Sequence, residues 1–127
     1  ASAAGMPPIL IYRAETNKVE THIFKGMPIG AFKNFPYQLN NLSIFKNDVL
    51  LLMSDGLPEL FNKDKEMYNY ERIEETFKVL ANKSTGEILE GLKTEMNKWL
   101  NGIQPEDDIT LLVLKSKWCY KNLIIIV

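Results

Sequence analysis

Val49-Leu50-Leu51-Leu52-Met53-Ser54-Asp55-Gly56-Leu57-Pro58-Glu59-Leu60-Phe61-Asn62 opens with five consecutive apolar residues and breaks at a polar triplet. A short apolar run with no polar face suits a strand buried on both sides. Residues 49–53 are therefore expected as a central strand, Asp55-Gly56 as the turn that ends it, and residues 57–61 as a helix-like segment.

Upstream, Ile9-Leu10-Ile11-Tyr12-Arg13 and Val19-Glu20-Thr21-His22-Ile23-Phe24 are β-rich and flank the polar Glu15-Thr16-Asn17-Lys18, a hairpin pattern. Gly26-Met27-Pro28-Ile29-Gly30 then interrupts the ladder, because proline lacks an amide donor and glycine admits positive φ. Residues 37–44 alternate as a further strand, and Lys46-Asn47-Asp48 supplies the turn into residue 49.

Downstream the period changes. Tyr70, Ile73, Phe77 and Leu80 recur at helical spacing, and so do Ile88, Leu89, Leu92, Met96, Trp99 and Leu100. Ser84-Thr85-Gly86-Glu87 is a capping box that starts the second helix, and Gly102 and Pro105 lie beyond its end. Ile109-Thr110-Leu111-Leu112-Val113-Leu114-Lys115 returns to strand character, and residues 123–127 suit one more strand. Strands around a central helical pair make an α+β pattern within a single domain, 1–127, rather than a βαβ alternation.

The composition, 46% hydrophobic and 24% charged, is that of a folded chain. With 15 basic and 16 acidic side chains there is no field to gather nucleic acid or an anionic membrane, and neither is expected as a partner. The single cysteine, Cys119, excludes an internal disulfide and fits a reducing, cytoplasmic compartment. No apolar run spans a bilayer, and the opening five residues lack the pattern of a signal peptide.

Several chemistries are disfavoured. A cysteine phosphatase needs an arginine six residues after its nucleophile, where Ile125 stands, and His22 is the only histidine, without an acidic or serine constellation. The loop 26–30 has no following Lys-Ser/Thr and is not a P-loop. Two acidic sites remain: Asp55-Gly56 at a strand end, and Glu106-Asp107-Asp108 just before a strand start. If those strands are antiparallel neighbours, opposed Cβ atoms lie about 4.5 to 5.5 Å apart, and Asp55 and Asp107 can share a cation. Carboxylates without histidine or thiolate favour Mg²⁺ or Mn²⁺, and Gly56 lets backbone approach the ion. Taken singly, each site is equally an everyday turn or loop. Spacing alone leaves that choice open.

Four strings in order carry a resemblance. Residues 49–62 resemble a strand ending in a metal-binding Asp-Gly, and Asp107-Asp108-Ile109-Thr110 with the apolar residues after it resembles a final catalytic motif. Gly5-Met6-Pro7-Pro8-Ile9-Leu10-Ile11-Tyr12 and the loop 26–30 resemble the segments that precede them. The family is the PPM metal-dependent protein serine/threonine phosphatases, in their stage II sporulation protein E-like bacterial branch, and the likeness is to the C-terminal half of the catalytic domain. It runs from about residue 3 to residue 115, leaving 116–127 as a tail.

The resemblance implies part of a two-sheet antiparallel β-sandwich flanked by a helical pair, which regulators move in this branch. It implies Asp55 and Asp107 as metal ligands, Gly56 as a carbonyl ligand through water, Asp108 in a supporting role, and two Mn²⁺ or Mg²⁺ ions in the intact domain. The implied reaction is hydrolysis of phosphoserine or phosphothreonine by a water between the ions; the implied substrate is a phosphorylated regulator of the anti-anti-sigma type in a partner-switching pathway, with a sensor or membrane segment attached upstream. The family's further Gly-Asp motif, with its Gly-His-Gly-like turn, does not occur here. The chain by itself is therefore expected to be catalytically silent and to self-associate, most simply as a homodimer. The alternatives are a non-catalytic interaction module that keeps the fold, and an unrelated α+β domain.

Overall fold

The computed structural model describes residues 6–123. Among these residues six strands and two helices follow in the order β1 (Ile9–Arg13), β2 (Lys18–His22), β3 (Leu42–Ile44), β4 (Val49–Met53), α1 (Asn69–Leu80), α2 (Thr85–Leu100), β5 (Leu111–Lys115) and β6 (Tyr120–Leu123). All pairings are antiparallel: β2-β1-β4-β5 form one sheet and β3-β6 a second. The architecture is α+β.

Strand β4 is flanked on both edges, by β1 and β5, as its apolar run requires. Alternation then assigns its side chains to two layers. Leu10 and Tyr12 of β1, Val49, Leu51 and Met53 of β4, and Val113 of β5 join Ile73, Phe77, Ile88 and Leu92 of the helices in one core. Ile9, Ile11 and Leu50, of opposite parity, pack with Leu42 and Ile44 of β3 in a second. The order of layers is helices, four-stranded sheet, two-stranded sheet. Ile73, Phe77 and Ile88 are fully buried, and each contributes about 1.5–3 kcal/mol relative to exposure.

Helix α2 begins with the capping box: the Glu87 amide donates to Ser84 Oγ at 3.3 Å, and the Ser84 amide donates to Glu87 Oε2 at 3.0 Å. Lys115 closes the end of α1, donating from Nζ to the carbonyls of Ala81, Asn82 and Lys83 at 3.2, 3.2 and 2.8 Å. One ammonium thus satisfies helix-end carbonyls and ties them to β5.

Asp48 is the buried polar hub of the sheet's other end. Its carboxylate accepts from Arg13 Nη1 at 2.8 Å and from the amides of Ala14 and Phe45 at 3.0 Å each. Arg13 also donates to the Ser43 carbonyl and pairs with Glu20. Burial alone would lower the Arg13 pKa, but its bonds to Glu20 and Asp48 outweigh that and raise it.

Three expectations are corrected, and a fourth falls mostly outside the described residues. The strand expected over 37–44 covers only Leu42–Ile44, which pairs with Tyr120–Leu123 among the described residues. Of the helix-like segment expected at residues 57–61, only residues 57–59 belong to a turn, which starts at Asp55, and Phe61 instead enters an antiparallel bridge with Met67. The carbonyls of Pro58 and Leu60, which a helix would keep for its own next turn, accept instead from the amides of Asn69 and Tyr68 at 3.0 and 2.8 Å. The strand expected from Ile109 begins at Leu111. The last strand among the described residues is Tyr120–Leu123; of the strand expected over 123–127, residues 124–127 lie outside them.

Candidate metal centre

The register of β4 with β5 runs from Val49↔Lys115 to Met53↔Leu111, so the end of one strand lies beside the start of the other. Ser54 extends that pairing past the strands. Its amide donates to the Thr110 carbonyl at 3.0 Å, its Oγ accepts from the Thr110 amide at 3.0 Å, and the same Oγ donates to the Asp108 carbonyl at 3.1 Å. Residues 54–56 and 107–110 are therefore adjoining turns at one end of the sheet.

Gly56 is buried against this second turn. A Cβ placed on it would stand 2.5 Å from the Asp108 carbonyl oxygen, closer than real Cβ atoms come, and a tight 3.2 Å from its carbon. Glycine is required here by close approach, not by a positive φ. After the turn, the Glu59 amide donates to the Asp55 carbonyl at 3.1 Å, which holds residues 55–59 in a single helical turn.

Asp55, Asp107 and Asp108 are exposed. Asp107 Oδ1 accepts from the Asp108 amide at 2.7 Å, which fixes the start of that turn and leaves Oδ2 for other partners. Gly56 and Asp107 line one cleft of about 560 Å³ together with Glu59, Lys63, Lys65 and Glu106, whereas Asp55 lies outside its lining. Tyr70, at the start of α1, has its pKa raised by burial first and then by the charges of Glu59 and Asp55. The donors at hand are carboxylate and carbonyl oxygens, the chemistry of a hard divalent ion. Among the described residues no three His, Cys, Asp or Glu side chains gather into a metal-holding group. The set fits one side of an oxygen-ligand centre, and a complete one needs further ligands.

The helices grip this corner. Trp99 of α2 donates from Nε1 to the Leu60 carbonyl at 3.2 Å, packs edge-on against Tyr68 with centroids 5.6 Å apart, and carries the Arg72 guanidinium 4.2 Å above its ring.

Residues 1–117 match the family described as Stage II sporulation protein E (SpoIIE). The chain belongs to that family. Among relatives of this SpoIIE-family chain, Protein IcfG of Synechocystis sp. is 28% identical over 113 residues, which cover 87% of this chain and 17% of IcfG. The SiaA-PP2C domain of Pseudomonas aeruginosa superposes with a TM-score of 0.75 at 16% identity, over 90% of this chain and 45% of that one. The phosphatase domain of the cell fate determinant SpoIIE from Bacillus subtilis gives a TM-score of 0.61 at 25% identity, over 94% and 49%. The fold is that of PP2C phosphatase domains, and the chain spans a little under half the length of these two solved structures. Among the described residues no helix is long and apolar enough to cross a membrane.

Sequence reasoning singled out Asp55, Gly56, Asp107 and Asp108, and the fold sets their two turns side by side. It missed Ser54, whose hydroxyl bonds twice across the junction, to Asp108 and Thr110, and Trp99, which it read only as a member of an apolar stripe. A serine between a buried strand and Asp-Gly is the one local signal for the former; the latter has none, because its partner is a backbone carbonyl 39 residues away.

Proposed function

We propose that this chain supplies one side of the metal centre of a protein serine/threonine phosphatase, in which Asp55 and Asp107 ligate Mn²⁺ or Mg²⁺ and Gly56 adds a carbonyl ligand through water. The observation that carries this reading is the junction at Ser54, which brings the Asp55-Gly56 turn against the Asp107-Asp108 turn with a glycine where no other residue fits. Family membership and the PP2C fold support the same reading.

Bound divalent ions lower the pKa of water and clamp the attacking and leaving oxygens of an in-line displacement. The chain's own residues present two carboxylates from adjoining turns, hold those turns together through Ser54, and keep Asp107 oriented by its bond to the Asp108 amide. Asp108 contributes its carbonyl to the junction and supports the loop. The substrate is a phosphoserine- or phosphothreonine-bearing regulatory protein, of the anti-anti-sigma type in a partner-switching pathway of the cytoplasm. The test is hydrolysis of a phosphoserine peptide by the intact protein with Mn²⁺ and with excess chelator. Turnover that persists in chelator contradicts the mechanism.

On its own, the 127-residue chain is inactive and pairs with a second copy. Among the described residues it gathers only part of a ligand set, and β5 is an edge strand there, with Leu112 and Leu114 50% and 45% exposed. Sedimentation of the isolated chain checks this, with a monomer that turns over phosphopeptide as the contrary result.

A further inference from the structure

The cleft beside the Asp107 turn has a second wall that the proposed metal chemistry does not use. It is the loop 61–67, which carries Lys63 and Lys65 into the cleft lining. The loop is tightly built. Phe61 and Met67 form an antiparallel bridge, the Asn62 amide donates to the Glu66 carbonyl at 3.0 Å, and the Lys65 amide donates to the Asn62 carbonyl at 3.0 Å. Asn62 Oδ1 accepts from the amides of Asp64 and Glu66 at 2.9 Å each, and Asn62 Nδ2 donates to Glu66 Oε2 at 2.9 Å. Lys65 holds a left-handed φ of 60°.

Of the loop's two carboxylates, Glu66 is bound by the Asn62 side-chain amide and Asp64 stays outside the cleft lining. Neither lysine belongs to an ion pair among the described residues. The other segments of the cleft lining are acidic, with Glu59, Glu106 and Asp107. A cleft lined by carboxylates from residues 59 and 106–107 and by two lysines carried on a hydrogen-bonded loop offers charges of both signs on separate segments, and it orients a ligand of matching polarity.

We infer that Lys63 and Lys65 determine substrate specificity by pairing with an acidic side chain that flanks the phosphorylated serine. The inference rests on the phosphatase reading for the location of the phosphoryl group; the lysine loop's own contribution is to hold the peptide beside it. The substrate class is a phosphoserine peptide with a glutamate or aspartate within a few residues of the phosphoserine. Exposed pairs of this kind are individually weak, and two of them together change affinity by about threefold to tenfold.

The experiment uses the intact protein with Mn²⁺ and two labelled peptides that carry a non-hydrolysable phosphonate in place of phosphoserine, one glutamate-flanked and one alanine-flanked, with binding read by fluorescence anisotropy. The wild type is expected to prefer the glutamate-flanked peptide about threefold to tenfold. The Lys63→Ala/Lys65→Ala variant is expected to bind both alike, and Lys63→Glu to reverse the preference, with unfolding midpoints unchanged. With the corresponding phosphopeptides the double variant raises KM for the acidic substrate alone and leaves kcat, and the hydrolysis of p-nitrophenyl phosphate, as in the wild type. Equal binding of both peptides by the wild type, or discrimination that survives in the double variant, overturns the inference. Failure of the intact protein to hydrolyse any phosphoester removes the phosphatase reading, while the anisotropy result still decides the lysine loop.

Discussion

The Asp108 carbonyl oxygen lies 2.5 Å from the point where any residue but glycine at position 56 would place its Cβ. Two turns that each carry a candidate ligand are thereby packed backbone to backbone, with the Ser54 hydroxyl bonding across the junction.

Gly56→Ala is expected to push the 107–109 backbone away and to cost about 1–3 kcal/mol, the range for overpacking a rigid site. Gly86→Ala is the control, since a Cβ there meets nothing within 4 Å and sits in helix α2. It is expected to be neutral or to stabilise by up to about 1 kcal/mol. Denaturant unfolding of the two variants checks the contrast.

Asp48→Ala is expected to destabilise by about 2–4 kcal/mol, because it removes the acceptor of two backbone amides and the buried partner of Arg13, which keeps only Glu20 and the Ser43 carbonyl. Lowered thermal midpoints with an unchanged far-ultraviolet spectrum below the transition are the readout.

Acid sensitivity follows from two carboxylates. Glu87 is held below its ordinary value of 4.5 by the Ser84 side chain and then by the Ser84 amide, and Glu20 is held below the same value by Arg13 first. A folded-state pKa below the unfolded one contributes stability above the unfolded value, and that contribution is lost as pH falls through the folded value. Unfolding midpoints are therefore expected to hold steady from neutrality to about pH 5 and to fall below about pH 4.5. Glu87→Gln should flatten part of that fall.

The sequence made some of this structure readable and hid the rest for physical reasons. The buried run 49–53, the hairpin before it and the capping box at Ser84 are local patterns, and each formed where periodicity and side-chain chemistry put it. Residues 57–61 misled because the carbonyls of Pro58 and Leu60 are claimed by amides at the start of α1, a competition that no window of five residues displays. For the candidate site, Asp55, Gly56 and Asp107 were legible from strand ends and from resemblance. The bond of Ser54 to Asp108 and the seat of Trp99 on Leu60 depend on register and on helix placement, which side-chain identity does not encode locally.

The central claim is that Asp55 ligates an ion needed for phosphoester hydrolysis, and turnover of a phosphoserine peptide by the intact Asp55→Asn protein tests it most directly. The substitution keeps the side chain's shape and one oxygen but removes the charge that binds a hard divalent ion. The variant is predicted to unfold at the wild-type midpoint, given that Asp55 is exposed, and to show no turnover above background at Mn²⁺ concentrations that saturate the wild type. Undiminished turnover in a folded Asp55→Asn protein would contradict the account.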